Sequence, residues 1–348
     1  MHVVRHMSEE QSCLDPATPG ASSAPIHCDN GHQFTEGTFE AHSSYRHEAM
    51  LWRGDDEFLA GTVPFISEGL GAGQPVMVAV IAPRIELLRA TMGTDADRVG
   101  FVDMAVFGRN PARIIPVWRQ FVAEHAADNQ PVRGIGEPIW SGRRPAEVIE
   151  CQLHEALLNV AVEPHTPLWL LCPYDVQALS PDVITEAQRS HPVLVEDQNH
   201  RSSTLYGGPH HVGTMFEADL PTVEVAASHR TFGRDDLSAV REDVKTQAHG
   251  AGLSPARSAD LALAVHEVAA NSLKHGSGER VLRIWIERDS LVCEVHDDGR
   301  ITDPMIGRTA PARDDEKGRG LWMANQLSDL VQVRSGHAGT TIRIHSWL

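Results

Sequence analysis

The stretch LALAVHEVAANSLKH, residues 261–275, decides how the C-terminal third of the chain is read. Its apolar positions Leu261, Ala262, Leu263, Ala264, Val265, Val268, Ala269, Ala270 and Leu273 run almost all the way round a helix, so this helix is expected to pack against a sheet. Three polar residues interrupt the pattern. Asn271 stands four residues after Glu267 and Lys274 seven after, which puts a carboxylate, an amide and a cation within about 60° of one another on one helical face. A solvated helix edge would explain Glu267 and Lys274 alone, so the weight falls on the residues from Val281 onward.

Val281 to Glu287 and Leu291 to His296 read as two strands with Asp289-Ser290 in the turn, and the second runs into Asp297-Asp298-Gly299. A carboxylate at a strand end can accept a hydrogen bond from a base amino group, and Gly299, having no Cβ, lets the backbone come close. Arg300 to Lys317, with Pro304 and Pro311, reads as a loop suited to a lid. It ends at Gly318-Arg319-Gly320. The apolar spacing of Leu321, Met323, Ala324, Leu327 and Leu330 then predicts a helix starting at the glycines. Backbone N–H groups at a helix start attract phosphate and Arg319 could add a charge-assisted contact, although a glycine hinge explains the same residues. Gly339-Thr340 completes the set. No G-x-x-x-x-G-K-S/T sequence occurs, so the pattern points to an ATP site built without a P-loop.

In the order and spacing of these four motifs, residues 223–348 resemble the α+β nucleotide-binding fold shared by gyrase, histidine kinases and MutL, called the GHKL or Bergerat fold, and within it the anti-sigma-factor serine kinases. The resemblance implies that Asn271 holds Mg²⁺ against the triphosphate and that Asp297 reads adenine. It implies further that Gly299, Gly318 and Gly320 shape the lid and that Thr340 supports the adenine end. Glu267 takes the place of the proposed base that accepts the proton of a partner's seryl hydroxyl, a poor nucleophile until a carboxylate does so. Lys274 and Arg319 are candidates for phosphate contact, although Lys274-His275 at a helix end also suits the helix dipole. The chain departs from the family pattern at Ile301, where many relatives carry a second glycine.

A length of 348 residues implies two domains. Residues 1–42, rich in Ser, His, Glu, Gly and Pro, read as a flexible tail with no apolar run that would make a secretion signal or an anchor. No stretch approaches the roughly 18 apolar residues of a membrane span, so a cytoplasmic protein is expected. The five cysteines are scattered and odd in number, which speaks against a disulfide framework. His47-Glu48, His154-Glu155 and His266-Glu267 lack the second histidine of HExxH, so no structural metal is expected. A net charge of −17 without a basic face argues against nucleic acid and for protein partners.

Residues 43–195 alternate apolar runs and helical patterns. Strands are expected at 76–81, 99–103, 132–136 and 168–172, and helices at 84–92, 112–126 and 145–159, an α/β domain with a mostly parallel sheet covered on both faces. Ligands of such sheets sit at the carboxyl ends of strands. Those ends carry Gly136-Glu137-Pro138-Ile139-Trp140 and Cys172-Pro173-Tyr174-Asp175. With His47-Glu48-Ala49, Arg53 to Phe58, Gly134 to Trp140 and Leu171 to Asp175, this half resembles the MEDS sensory domain, which implies a small-molecule ligand. His47, Glu137, Trp140 and Cys172 are the candidates for its pocket, although a strand-end Cys or Trp also serves as plain core. Residues 196–222 read as a polar linker, 223–227 as a strand, and 235–248 as a helix capped by Asp235 or Asp236.

The resemblance implies a signal-responsive anti-sigma factor and ATP-dependent serine/threonine kinase, with Mg²⁺, a sigma factor and a STAS-type antagonist as partners, and a possible homodimer. A sensor histidine kinase is disfavoured, because 196–222 is too short and polar to hold the phosphoacceptor hairpin. A non-catalytic module that binds nucleotide only to hold a partner surface remains as the alternative, kept by Ile301.

Overall fold

The computed structural model describes residues 44–126, 130–222, 225–311 and 319–348; the expected tail at 1–42 lies outside them. From the first described residues run β1 (Arg46–Trp52), α1 (Gly54–Gly71), β2 (Val76–Val80), α2 (Ala82–Met92), β3 (Gly100–Asp103), α3 (Met104–Phe107) and α4 (Ile114–His125). There follow β4 (Val132–Gly136), α5 (Pro145–Ala161), β5 (Leu168–Asp175), α6 (Pro181–Ser190), β6 (Val193–Glu196), β7 (Asn199–Ser202) and α7 (Gly208–Glu217). The seven strands form one sheet in the order β3-β2-β4-β5-β1-β6-β7, parallel throughout except for the β6–β7 hairpin.

This is the mostly parallel, doubly covered sheet that the apolar runs predict. β2, Val-Met-Val-Ala-Val, is buried at every position, as a strand with helices on both faces must be. Alternate residues go to opposite cores. Ala49 and Leu51 of β1 join Trp118 of α4 and Leu157 of α5, whereas Met50 and Trp52 join Phe58 and Ile66 of α1.

The stretch 196–222, expected to be a linker, is instead folded. Asp197 and Gln198 both adopt positive φ, at 49° and 63°, and so make a two-residue hairpin turn between β6 and β7. β7 is polar and exposed at all four positions because an edge strand can be held by backbone bonds alone. α7 then buries Val212 and Phe216 and packs on both α5 and the second sheet.

The second sheet is made by β8 (Ser228–Thr231), β9 (Val281–Glu287), β10 (Ser290–Asp297), β11 (Leu330–Gly336) and β12 (Gly339–Trp347), antiparallel in the order β11-β12-β10-β9-β8. Its first strand begins at Ser228, after the 223–227 expected from sequence, of which 223–224 lie outside the described residues. Helices α8 (Leu237–Gly250), α9 (Pro255–His275) and α10 (Arg319–Leu327) cover one face. The strands alternate accordingly: Ile342 and Ile344 of β12 enter this core and Arg343 and His345 take the opposite face. Asp236 does not cap α8 with its side chain; it accepts from Gly233 N at 2.8 Å, closing a short 3-10 turn before the helix.

Among the described residues no helix is long and apolar enough to cross a membrane. Cys151, Cys172 and Cys293 are buried free thiols, and Cys13 and Cys28 lie outside the described residues.

Candidate functional site

α9 is launched by Ser254, whose Oγ accepts from Arg257 N at 3.3 Å, with Pro255 at the first helical position. It buries Leu261, Ala264, Val265 and Val268 against the antiparallel sheet, leaving Glu267 and Asn271 half-buried on the adjoining face. Lys274 is exposed. The C-terminal end of α9 is held by Arg280, whose guanidinium donates to the carbonyls of Ser272 (3.3 Å), Gly276 (3.2 Å) and Gly278 (2.8 Å).

Beside that end lies a cavity of about 260 Å³, lined among others by Asn271, Asp297, Gly299, Ile301, Leu321 and Thr340. Four residues singled out from sequence thus share one pocket: Asn271, Asp297, Gly299 and Thr340. Lys274 and Arg319 are exposed and do not line it, and Gly318 lies outside the described residues. Gly320 sits where α10 meets α9. A Cβ there would fall 2.5 Å from Asn271 Nδ2 and 3.2 Å from Glu267 Oε2, so the three residues are in close approach. Gly320→Ala is expected to crowd Asn271 and to lower stability by about 1–3 kcal/mol in chemical denaturation, the usual cost of overpacking a filled site.

Asp297 is buried and its carboxylate is fixed at both oxygens. Oδ1 accepts from Gly299 N at 2.7 Å and Oδ2 from Ser272 Oγ at 2.6 Å. Gly276 makes room for it, since a Cβ at Gly276 would lie 2.5 Å from Oδ1.

Behind the carboxylate a hydroxyl relay ties the loop after β10 to the β11–β12 hairpin. Thr340 Oγ1 donates to Gly299 O at 2.8 Å, which leaves it to accept from Ser335 Oγ, also at 2.8 Å. Ser335 Oγ in turn accepts from Ile301 N at 2.8 Å. Thr340 therefore shapes the loop rather than merely bordering it, and Ile301 fills the pocket wall with its side chain while its N–H completes the relay. Thr340→Val, nearly equal in shape, strands two buried polar groups. It is expected to lower stability by about 1–3 kcal/mol in chemical denaturation.

Ser272, Gly276 and Ser335 carry no spacing signal; Ser335 is brought in by the register that pairs it and Asp297 with Thr340, and Ser272 and Gly276 by the packing of the end of α9 on Asp297. The loop after Asp297 and helix α10 are also held by the first domain. Arg308 Nη2 lies 3.0 Å from Glu150 Oε2 of α5, and Arg334 Nη2 lies 2.6 Å from Glu150 Oε1. Arg113 caps α10, donating to the carbonyls of Asn325 (2.9 Å), Gln326 (3.0 Å) and Ser328 (2.9 Å).

The four pocket candidates of the first domain separate into distinct places. His47 and Cys172, from adjacent strands, are buried beneath α5 with Nε2 and Sγ 3.5 Å apart. Glu137 instead pairs with Arg84 of α2 at 2.8 Å, and burial pushes its carboxyl up to about 7 despite that guanidinium. Trp140 is covered by the guanidinium of Arg143, 4.1 Å from its ring centroid.

Two family models match the chain. Residues 46–192 match the family model of the methanogen/methylotroph, DcmR sensory (MEDS) domain, and residues 233–346 that of the histidine kinase-like ATPase domain. No curated protein matches the chain. Among solved structures, the RsbU and RsbW domains of Rv1364c from Mycobacterium tuberculosis align at 20% identity over 36% of this chain and 33% of that one, with a TM-score of 0.28. The Acinetobacter baumannii histidine kinase AdeS aligns at 11% identity over 36% of this chain and 69% of that one, with a TM-score of 0.21. This chain thus spans a third of the length of the first of them.

Proposed function

We propose, from a chain in which a MEDS domain precedes a histidine kinase-like ATPase domain, that the second domain binds ATP with Mg²⁺ and transfers its γ-phosphate to a serine of a partner protein. The observation that carries this reading is the convergence on one cavity of Asn271, Asp297, Gly299 and Thr340, with Glu267 reaching the same contact at Gly320. Asp297, held at both oxygens, offers a carboxylate to the adenine amino group. Ile306, Leu321 and Ile342 give the ring apolar walls.

Asn271, half-buried at the cavity and beside Gly320, is the residue whose amide oxygen would hold Mg²⁺, and the ion would neutralise charge on the triphosphate. Glu267, one helical turn before Asn271, accepts the seryl proton. It stands beside Gly320, which also abuts Asn271, and does not itself line the cavity.

The partner in this reading is an antagonist of STAS type, and the silenced protein a sigma factor, with the MEDS domain sensing a small molecule that tunes the exchange. A cytoplasmic location and a homodimer belong to the same proposal. Incubating the chain with radiolabelled ATP and a seryl antagonist is expected to label the antagonist. Glu267→Gln is expected to cut transfer about 100-fold or more with ATP affinity unchanged, since general-base catalysis contributes roughly 10²–10⁴-fold.

Ile301 favours a second reading, nucleotide binding without transfer, because its side chain occupies the cavity wall at the place of a family glycine. Saturable binding with no labelled serine would select it. A labelled histidine on this chain would select a histidine kinase instead. Between β7 and β8 the described residues hold only the ten-residue α7, and no hairpin of long helices.

A further inference from the structure

Four buried side chains from four separate elements meet beneath α5. His47 of β1, Glu155 of α5, Cys172 of β5 and His191, which follows α6, each present one donor atom, and these atoms all lie within 4.8 Å of one another. His47 and Cys172 reach the same face of the sheet because β1 and β5 are parallel neighbours with Ala49 opposite Cys172. None of the four residues is more than 2% exposed.

The hydrogen bonds around the cluster fix which ring atoms face inward. Asn159 Nδ2 donates to the carbonyls of Ser190 (2.7 Å), Ala156 (3.3 Å) and Glu155 (3.4 Å), so its Oδ1 is the atom turned to His47. That oxygen only accepts. His47 Nδ1, 3.1 Å away, must therefore carry the proton, and in the neutral ring Nε2 carries a lone pair. His191 is set in the same way: Nδ1 lies 2.8 Å from the carbonyl of Ala187, which again can only accept. Its Nε2 also faces the cluster.

Two imidazole nitrogens are thus aimed at one carboxylate oxygen, with His47 Nε2 at 3.1 Å and His191 Nε2 at 3.0 Å from Glu155 Oε2. Cys172 Sγ stands 3.5 Å from His47 Nε2. Glu155 Oε1, also buried, makes no hydrogen bond. Two ring nitrogens, a carboxylate and a weakly donating thiol gathered out of water make a donor set that a cation would satisfy. Each histidine is moreover oriented through its other ring nitrogen by an amide or carbonyl oxygen, the arrangement by which outer partners orient metal ligands.

We propose that His47, Glu155, Cys172 and His191 bind a divalent transition-metal cation of the zinc class. Two imidazoles, one thiolate and one carboxylate suit a four-coordinate, borderline-soft ion rather than Mg²⁺ or Ca²⁺. A tetrahedral site with bonds of about 2.0–2.3 Å has donors about 3.3–3.8 Å apart; three of the separations are 3.0, 3.1 and 3.5 Å and none exceeds 4.8 Å, so side-chain shifts of about 1 Å or less would close the site. Binding converts the Cys172 thiol to thiolate and releases its proton to solvent. The same helix carries Glu150, which holds Arg308 and Arg334, so the site belongs to the element that joins the two domains.

The test is metal content of the full chain, stripped with chelator, reloaded with Zn²⁺ or Co²⁺ and desalted. About one ion per chain is expected to remain, with a thiolate-to-cobalt charge-transfer band in the Co²⁺ form. Cys172→Ser is expected to abolish the band and His191→Ala to lower retention at least about tenfold. Cys293→Ser and the Cys13→Ser/Cys28→Ser double variant are expected to keep both. Circular dichroism confirms that each variant is folded. A folded wild-type chain that retains no ion, a Co²⁺ form with no thiolate band, or a band that survives Cys172→Ser overturns the proposal, whichever way variant stability falls. The outcome is independent of whether the second domain binds ATP.

Discussion

Replacing Glu150 with alanine is expected to cost the folded chain about 3–5 kcal/mol, the loss typical of removing one partner from a buried ionic group. Glu150 is 1% exposed and its two oxygens meet Arg308 and Arg334, each 5% exposed. Without the carboxylate two guanidiniums remain buried beside one another, and burial already holds Arg308 below its ordinary pKa. The charges would be relieved by local opening. Since Gly307, next to Arg308, accepts from Asn325 Nδ2 of α10 at 3.0 Å, that opening reaches the helix that abuts Asn271 and Glu267. A lower urea midpoint accompanied by weaker nucleotide binding is therefore expected. An unchanged midpoint would show that the carboxylate does not hold the two domains together.

Asp297→Ala is expected to weaken ATP binding about 30- to 1,000-fold. The figure follows from about 2–4 kcal/mol for losing a charge-assisted hydrogen bond and leaving the adenine amino group without an acceptor. Water entering the cavity can satisfy Gly299 N and Ser272 Oγ, so the loss of stability should be smaller than the loss of affinity. Ser272→Ala separates positioning from recognition. It removes the bond to Oδ2 but leaves the carboxylate, and a reduction of about tenfold is expected in the same titration.

The fold was legible where periodicity is strong and the local chemistry agrees with it. β4 and β9 occupy the predicted residues, and α5 begins at the predicted Pro145, because short apolar runs such as Val281 to Ile286 are bounded by turn residues. The apolar spacing carried the α10 pattern on to Leu330, but the helix ends at Leu327 and Leu330 opens β11. Spacing alone cannot tell a helix's last turn from a strand's first residue. The 196–222 segment failed for a different reason. β7 is an exposed edge strand, so nothing apolar marks it, and α7 is held by contacts to two separate parts of the chain.

At the candidate site, the residues that would touch nucleotide stand at motif spacing, whereas those that position them do not. Ser272 and Ser335 look like ordinary polar residues until the packing of α9 brings the first to Asp297 and strand register brings the second to Thr340. The histidine–cysteine–carboxylate cluster was hidden for the same reason. Metal patterns are recognised by short spacing, and positions 47, 155, 172 and 191 are joined only by the parallel sheet and α5.

The most direct measurement is calorimetric titration of the full chain with Mg²⁺-ATP and Mg²⁺-GTP, for wild type and Asp297→Ala. Asp297 presents only acceptors; adenine offers it an amino donor, where guanine places an acceptor oxygen. One ATP per chain is expected, with GTP bound at least about 100-fold more weakly and the discrimination lost in Asp297→Ala. No saturable ATP binding by the wild type, or equal affinity for the two nucleotides, would contradict the assignment of this cavity as an adenine-reading site.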